Sequence, residues 1–242
     1  MTVSTRLPTL AAERVRRRRW SRLRTLLLVL GLAALAALAG WVFFGTGVFG
    51  VSTVTVTGTS RVSVAQVADL AAIRSGTPLA RVDTSAVAAR VSTLPAVAAV
   101  DVRRDWPRAI RVVVHERVPA AVRAQGTGYV LVDRGGVVFD TVERKPDGLP
   151  VVSAPVDAGA PALKAALDVL EAVPDDVRAK VRSVRAADVD DVTLRLTRGR
   201  TVVWGSTERS ERKGAVLAVL MTRKHADVID VSTPDAPVTR RN

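Results

Sequence analysis

The chain has no cysteine, and that one absence removes disulfides, thiol nucleophiles and thiolate metal sites together. Any exported portion must then be held by apolar burial alone, which domains of about 70 to 110 residues manage by hiding over half of their surface. Histidine is confined to His115 and His225, and asparagine to Asn242. A lone histidine in a strand and another past a helix end make neither a metal cluster nor a proton shuttle, so no metal site, cofactor or catalytic set is expected. Ser210-Glu-Arg-Lys213 has the S-x-x-K spacing of penicillin-binding enzymes, but that chemistry also needs a serine-asparagine element and a K-T-G strand, and neither occurs. The four residues are expected to form a charged helix face. Asp188, Asp190 and Asp191 lack the further oxygen ligands, glycine and terminal glutamate of a calcium loop and are expected to turn between strands. Walker, G-x-S-x-G and dinucleotide patterns are missing as well.

Charge is absent from Thr25 to Ser60. Within that stretch Leu26 to Phe44 is apolar throughout, and nineteen helical residues at about 1.5 Å each reach roughly 28 Å, the hydrocarbon thickness of a bilayer. The spacing predicts a membrane-spanning helix over residues 25–46, with Trp20, Trp41, Phe43, Phe44 and Phe49 near its ends. Ala37-Leu38-Ala39 fits a signal-peptidase pattern, yet the apolar run continues past it to Phe44, which favours a retained anchor. Eight arginines and one glutamate precede the helix, so residues 1–24 carry +7 of the net +13 and form a basic tail without apolar periodicity. By the positive-inside rule the tail is cytoplasmic and the remainder lies outside a plasma membrane. The +6 left over is interleaved with Asp and Glu, which argues against a nucleic-acid surface.

Beyond the anchor, Val51 to Val56 is β-branched and ends at Gly58, as a strand does. Ser63-Val-Ala-Gln66 has the form of a capping box opening a short helix in which Val64, Val67, Ala68 and Ala71 repeat at helical spacing. Asp83 and Thr84 can cap a second helix carrying Val87, Val91 and Leu94, which Pro95 stops. Strands follow over residues 97–103 and 109–116, separated by Asp105-Trp106-Pro107-Arg108, where Trp106 is expected to cover the sheet's end. Further on, residues 161–173 read as a helix, 181–187, 192–197 and 201–204 as strands, and 208–223 as a helix facing Val216, Leu217, Leu220 and Met221 inward. Val228 to Val231 is the last regular strand legible from pattern, and Pro234 and Pro237 after it suggest that it lies at or near a sheet edge.

The motifs Val54-x-Val56-x-Gly58, Gly76-x-Pro78-Leu79-x-x-Val82-Asp83, Leu94-Pro95-x-Val97, Arg104-x-Trp106-Pro107 and Glu116-Arg117-x-Pro119, in this order after one anchor, resemble the POTRA domain of the bacterial cell-division FtsQ (DivIB) family. Tyr129 to Phe139 looks like the hairpin that opens the second domain of that family, with Gly135-Gly136 as its turn, and the ending Ile229 to Val238 is similar to the terminal segment of the actinobacterial type. The resemblance implies an α+β fold: a POTRA-like β-α-α-β-β domain over residues 50–119, then a mixed β-rich domain with flanking helices over 120–240. It further implies a non-enzymatic divisome scaffold at the septal cell membrane, with FtsB- and FtsL-type partners, coupling to peptidoglycan synthesis, and no nucleic acid or small-molecule substrate. Combined with the edge argument, it places partner binding at Val228, Ile229, Asp230, Val231, Ser232, Pro237 and Val238. An exported cell-wall enzyme lacks its catalytic constellation here, and a POTRA-type chaperone usually has tandem copies and a barrel.

Overall fold

The computed structural model describes residues 9–45, 47–155, 159–222 and 226–241; side chains are described from Arg24, except those of residues 43–47. His225 therefore lies outside the described residues, as do the side chains of Trp20, Phe43 and Phe44.

Helix α1 spans Thr9–Gly45. The basic tail, though without apolar periodicity, is thus helical from Thr9, and one continuous helix joins the arginine-rich segment to the apolar run. Its stretch Arg24–Val42 is the one helix among the described residues long and apolar enough to cross a membrane.

After a 3-10 turn over Gly47–Phe49 come β1 (Thr53–Thr57), α2 (Val64–Ala71), α3 (Thr84–Val91), β2 (Val97–Asp105) and β3 (Ala109–Glu116). The order is the expected β-α-α-β-β, and the strands form a sheet β1-β3-β2 in which β1 runs parallel to β3. Val67 and Ala71 of α2 and Val87 and Val91 of α3 are buried at helical spacing, whereas Val64 and Ala68, expected on the same face, are exposed and Leu94 lies past the end of α3. Asp83 opens α3: its Oδ1 accepts the Ser85 hydroxyl at 2.6 Å and the Ser85 and Ala86 N–H groups at 3.0 Å. These bonds, led by that of the Ser85 hydroxyl, hold its carboxyl below the usual range. The capping box at Ser63 is not made, since Ser63 occupies the N-cap without a side-chain bond. Instead Arg90 closes the far end of α2, donating to the Leu70 and Ala71 carbonyls at 3.1 and 2.5 Å. Trp106 is 47% exposed, so it does not seal the sheet's end as expected.

Chain packing divides the molecule into two compact units, and Gly58–Val62 and Ser92–Ala99 group with the second, which runs on from Val114. Glu116 and Arg117 tie these segments of the second unit together. The Glu116 carboxylate accepts the backbone N–H groups of Ser60, Arg61 and Val62 and the Ser60 hydroxyl at 2.7 to 3.1 Å. Desolvation is the largest single influence and pushes its pKa up, but these donors together outweigh it and lower the value to about 2. Arg117 donates through Nε to the Pro95 carbonyl at 3.0 Å and through Nη1 to Asp133 at 2.5 Å. Gly58 sits at φ +82° where a Cβ would lie 2.2 Å from the Val114 oxygen, which is why a glycine ends β1.

The second unit is built on a nine-stranded mixed sheet of order β12-β11-β10-β9-β8-β7-β4-β5-β6. Its strands are β4 (Pro119–Gln125), β5 (Gly128–Asp133), β6 (Val138–Val142), β7 (Val151–Ser153), β8 (Val181–Asp188), β9 (Asp191–Leu196), β10 (Thr201–Gly205), β11 (Val228–Asp230) and β12 (Val238–Arg240). Helices α4 (Gly159–Ala172), the one-turn α5 (Asp175–Arg178) and α6 (Ser210–Met221) complete it. Leu163, Ala166, Leu167 and Leu170 of α4 and Leu217 and Leu220 of α6 join Val184, Leu194, Val202, Trp204 and Ile229 in one buried core. A Cβ on Gly214 would meet the Ala172 oxygen at 2.6 Å, so this glycine lets α6 approach the end of α4. Asp188 and Asp191 close the β8–β9 hairpin, as the sequence indicated.

Candidate partner interface

The edge of the large sheet is β12, not the strand before it. Strand β11 pairs in parallel with β10 on one side and antiparallel with β12 on the other, Val228 opposite Arg240 and Asp230 opposite Val238. The prolines do not mark fading pairing; they sit in the turn that brings the chain back. Asp230 Oδ1 starts that turn by accepting the Ser232 N–H and hydroxyl at 3.0 and 2.7 Å, and the Ala236 N–H closes it on the Thr233 carbonyl at 3.0 Å. Asp235, at the turn's tip, pairs with Arg209 and Arg212 beside α6 at 2.7 and 2.5 Å.

This placement sorts the seven residues expected to bind a partner. Ile229 and Val231 are fully buried and belong to the core, a correction that follows from a third strand lying outside them. Val228, Asp230 and Ser232 are half-buried, whereas Pro237 is exposed and Val238 lies at the edge with 46% of its surface open. All three residues of β12 are exposed. Their outward N–H and C=O groups present the unpaired ladder that another strand extends.

A second feature escaped the sequence reading. Strand register aligns Val151, Ser183, Arg195, Thr201, Val228 and Arg240 in one row across the sheet, and Ser153, Arg185, Thr193, Val203, Asp230 and Val238 in the next. Side chains alternate between faces along a strand, so both rows share the face opposite the α4 core. Between β7 and β10 this face is a shallow groove of about 520 Å³. Arg185 and Arg195 are diagonal neighbours on it and have no carboxylate partner among the described residues. The alternation of these arginines with buried valine and leucine was visible in the sequence, but which strands stand side by side was not.

Of the S-x-x-K residues, Glu211 and Arg212 are exposed as a charged face would be, but Lys213 is not. Lys213 is 1% exposed, and its Nζ donates to the Ser206 carbonyl at 2.8 Å. Burial lowers its pKa. The Ser210 hydroxyl donates to the Thr207 carbonyl at 2.7 Å and accepts the indole N–H of the fully buried Trp204 at 3.2 Å. Both groups are thus spent on holding the β10–α6 connection. His115 is exposed on β3, and no three His, Asp or Glu among the described residues come together as a metal site would.

A POTRA-type region followed by a helix-backed mixed sheet, behind one apolar helix, is the architecture of a class of bacterial division proteins. The family model "POTRA domain, FtsQ-type" matches residues 49–117, and "Cell division protein FtsQ/DivIB, C-terminal" matches residues 120–232. The cell-division protein FtsQ of Streptomyces bingchenggensis is 40% identical over 233 residues, covering 92% of this chain and 88% of that one. The Streptomyces coelicolor protein is 37% identical over 243 residues, covering 93% and 91%, and that of Mycobacteroides abscessus 39% over 222, covering 90% and 70%. The chain belongs to the FtsQ/DivIB family of cell-division proteins.

Proposed function

We propose that this chain is a non-enzymatic, single-pass scaffold of the division machinery, with its N-terminus in the cytoplasm and both units outside. In this reading its second unit binds a membrane-anchored partner of the FtsB and FtsL type and couples it to septal peptidoglycan synthesis. The observation that carries it is the exposed, three-residue β12 at the end of a nine-stranded sheet. A partner strand would add there through backbone hydrogen bonds, with alternate side chains supplying specificity. The adjoining face supports a partner with acidic side chains, since Arg185 and Arg195 offer guanidinium groups without a counter-ion of their own. The arginine excess before Leu26 supports the orientation.

The test is capture of an FtsB-type partner by the full chain in lipid nanodiscs. Thr239→Pro removes one edge N–H, Val238→Lys alters the edge side chain, and Arg185→Glu with Arg195→Glu reverses the face. Each is expected to weaken capture at least tenfold, while Thr141→Pro on the opposite edge strand β6 leaves it unchanged. Normal capture by all three variants would place the interface elsewhere. Protease added outside spheroplasts should digest the chain beyond Val51; protection of that part would refute the orientation.

A further inference from the structure

We propose that the end of the first unit beside α1 rests on the bilayer surface, with Val48 and Trp106 in the interfacial layer and Arg81 and Arg108 at lipid phosphates. This rests on α1 spanning the membrane. The apolar run ends at Phe44 and the 3-10 turn Gly47–Phe49 follows almost at once. At most about 13 Å of chain separates Phe44 from Phe49, while the interfacial layer is roughly 5 to 7 Å deep and a tryptophan ring adds several ångströms of reach. The Phe49 ring meets Trp106 edge-on with centroids 6.3 Å apart, so the tip of the β2–β3 turn is carried to the same level.

Hydrogen bonds bind three segments into one surface. Arg104 donates to the Leu79 and Val82 carbonyls at 3.0 and 2.6 Å, and Arg108 reaches the Gly50 carbonyl at 3.4 Å. Gly50 bridges to Pro78, and the end of α1 meets the turn Leu79–Arg81. On this surface Val48 is 60% and Trp106 47% exposed, an arrangement that water disfavours and a headgroup layer favours. Four arginines, at 81, 104, 108 and 111, stand against the carboxylates of Asp83 and Asp105, and Asp105 already pairs with Arg111 at 2.5 Å. The balance is cationic, which suits anionic headgroups. Such a seat would fix how the first unit leaves the membrane, instead of letting it pivot on a short linker.

The test uses the full chain in nanodiscs containing anionic lipid. The emission that Trp106→Phe removes should be quenched at least twofold by a headgroup nitroxide lipid and little by iodide in the buffer; phenylalanine keeps an aromatic ring against Phe49. Val48→Cys, unique in a cysteine-free chain, should carry an environment-sensitive dye that shifts blue only when lipid is present. Arg81→Glu with Arg108→Glu should weaken both signals. If Trp106 is quenched by iodide and not by the nitroxide, the proposal fails while the span stands. If the emission that Trp41→Phe removes is also untouched by an acyl-chain nitroxide, the spanning reading fails with it.

Discussion

Trp204 and Trp106 carry the same indole into opposite settings. Trp204, on β10, is fully enclosed by the large core and gives its N–H to Ser210; Trp106, at the β2–β3 turn, shows nearly half its surface and touches Phe49. Both lie at strand ends next to turn residues. One belongs to a core assembled from α4, α6 and several strands far apart in the chain, the other sits at a hairpin turn. The contrast separates an indole that holds the fold from one left open at the surface.

The largest effect should come from Trp204→Ala, which removes a buried ring and the indole N–H that the Ser210 hydroxyl accepts. It is expected to cost about 3 to 5 kcal/mol, whereas Trp106→Ala should cost under about 1 kcal/mol, comparable to a surface change. Denaturant unfolding of the two variants measures the gap, and equal losses would erase the distinction. Gly214→Ala comes next. Alanine normally favours a helix over glycine by about 1 kcal/mol, but here the Cβ would meet the Ala172 oxygen at 2.6 Å. A loss of about 1 to 3 kcal/mol is expected instead, so the sign alone decides.

Arg117→Ala breaks a charge pair whose side chains are only 24% and 13% exposed and frees the Pro95 carbonyl. About 2 to 3 kcal/mol should be lost, read as a lower unfolding midpoint. Glu116 yields a pH test. Its folded pKa of about 2 lies below the ordinary glutamate value of 4.5, so the stability it contributes is present above 4.5 and disappears as pH falls from 4.5 toward 2. Glu116→Gln should flatten the acid-unfolding profile in that window, and an unchanged profile would show that the carboxylate is not held by Ser60, Arg61 and Val62. Val238→Lys should have the smallest effect on stability, within about 0.5 kcal/mol, while reducing partner capture; a large stability loss would mean that β12 serves the core.

The first region was largely legible in the sequence because its signals are local. Gly58 ends β1, Asp83 caps α3, Pro95 follows that helix, and the apolar spacing of Val67, Ala71, Val87 and Val91 matches their burial. Where local patterns misled, a distant group had taken over a role. Ser63 leaves its capping box unmade, and Lys213 is buried because the Ser206 carbonyl waits for it seven residues back. Strand β12 left no trace in pattern, since all three of its residues are exposed and no apolar alternation marks it.

By itself the sequence determined the apolar helix, the order of elements in the first region, the helices and most strands of the second, and the family. These follow from composition and from side-chain periods of 3.6 and 2, which act over a few residues. Tertiary structure alone decided that β12 and not β11 is the edge, that Ile229 and Val231 belong to the core, that Arg185 and Arg195 share one uncovered face, and which tryptophan is enclosed. The period of a strand tells which side chains share a face, but its neighbours are chosen by backbone hydrogen bonds to residues far away in the chain, and no local pattern encodes that choice.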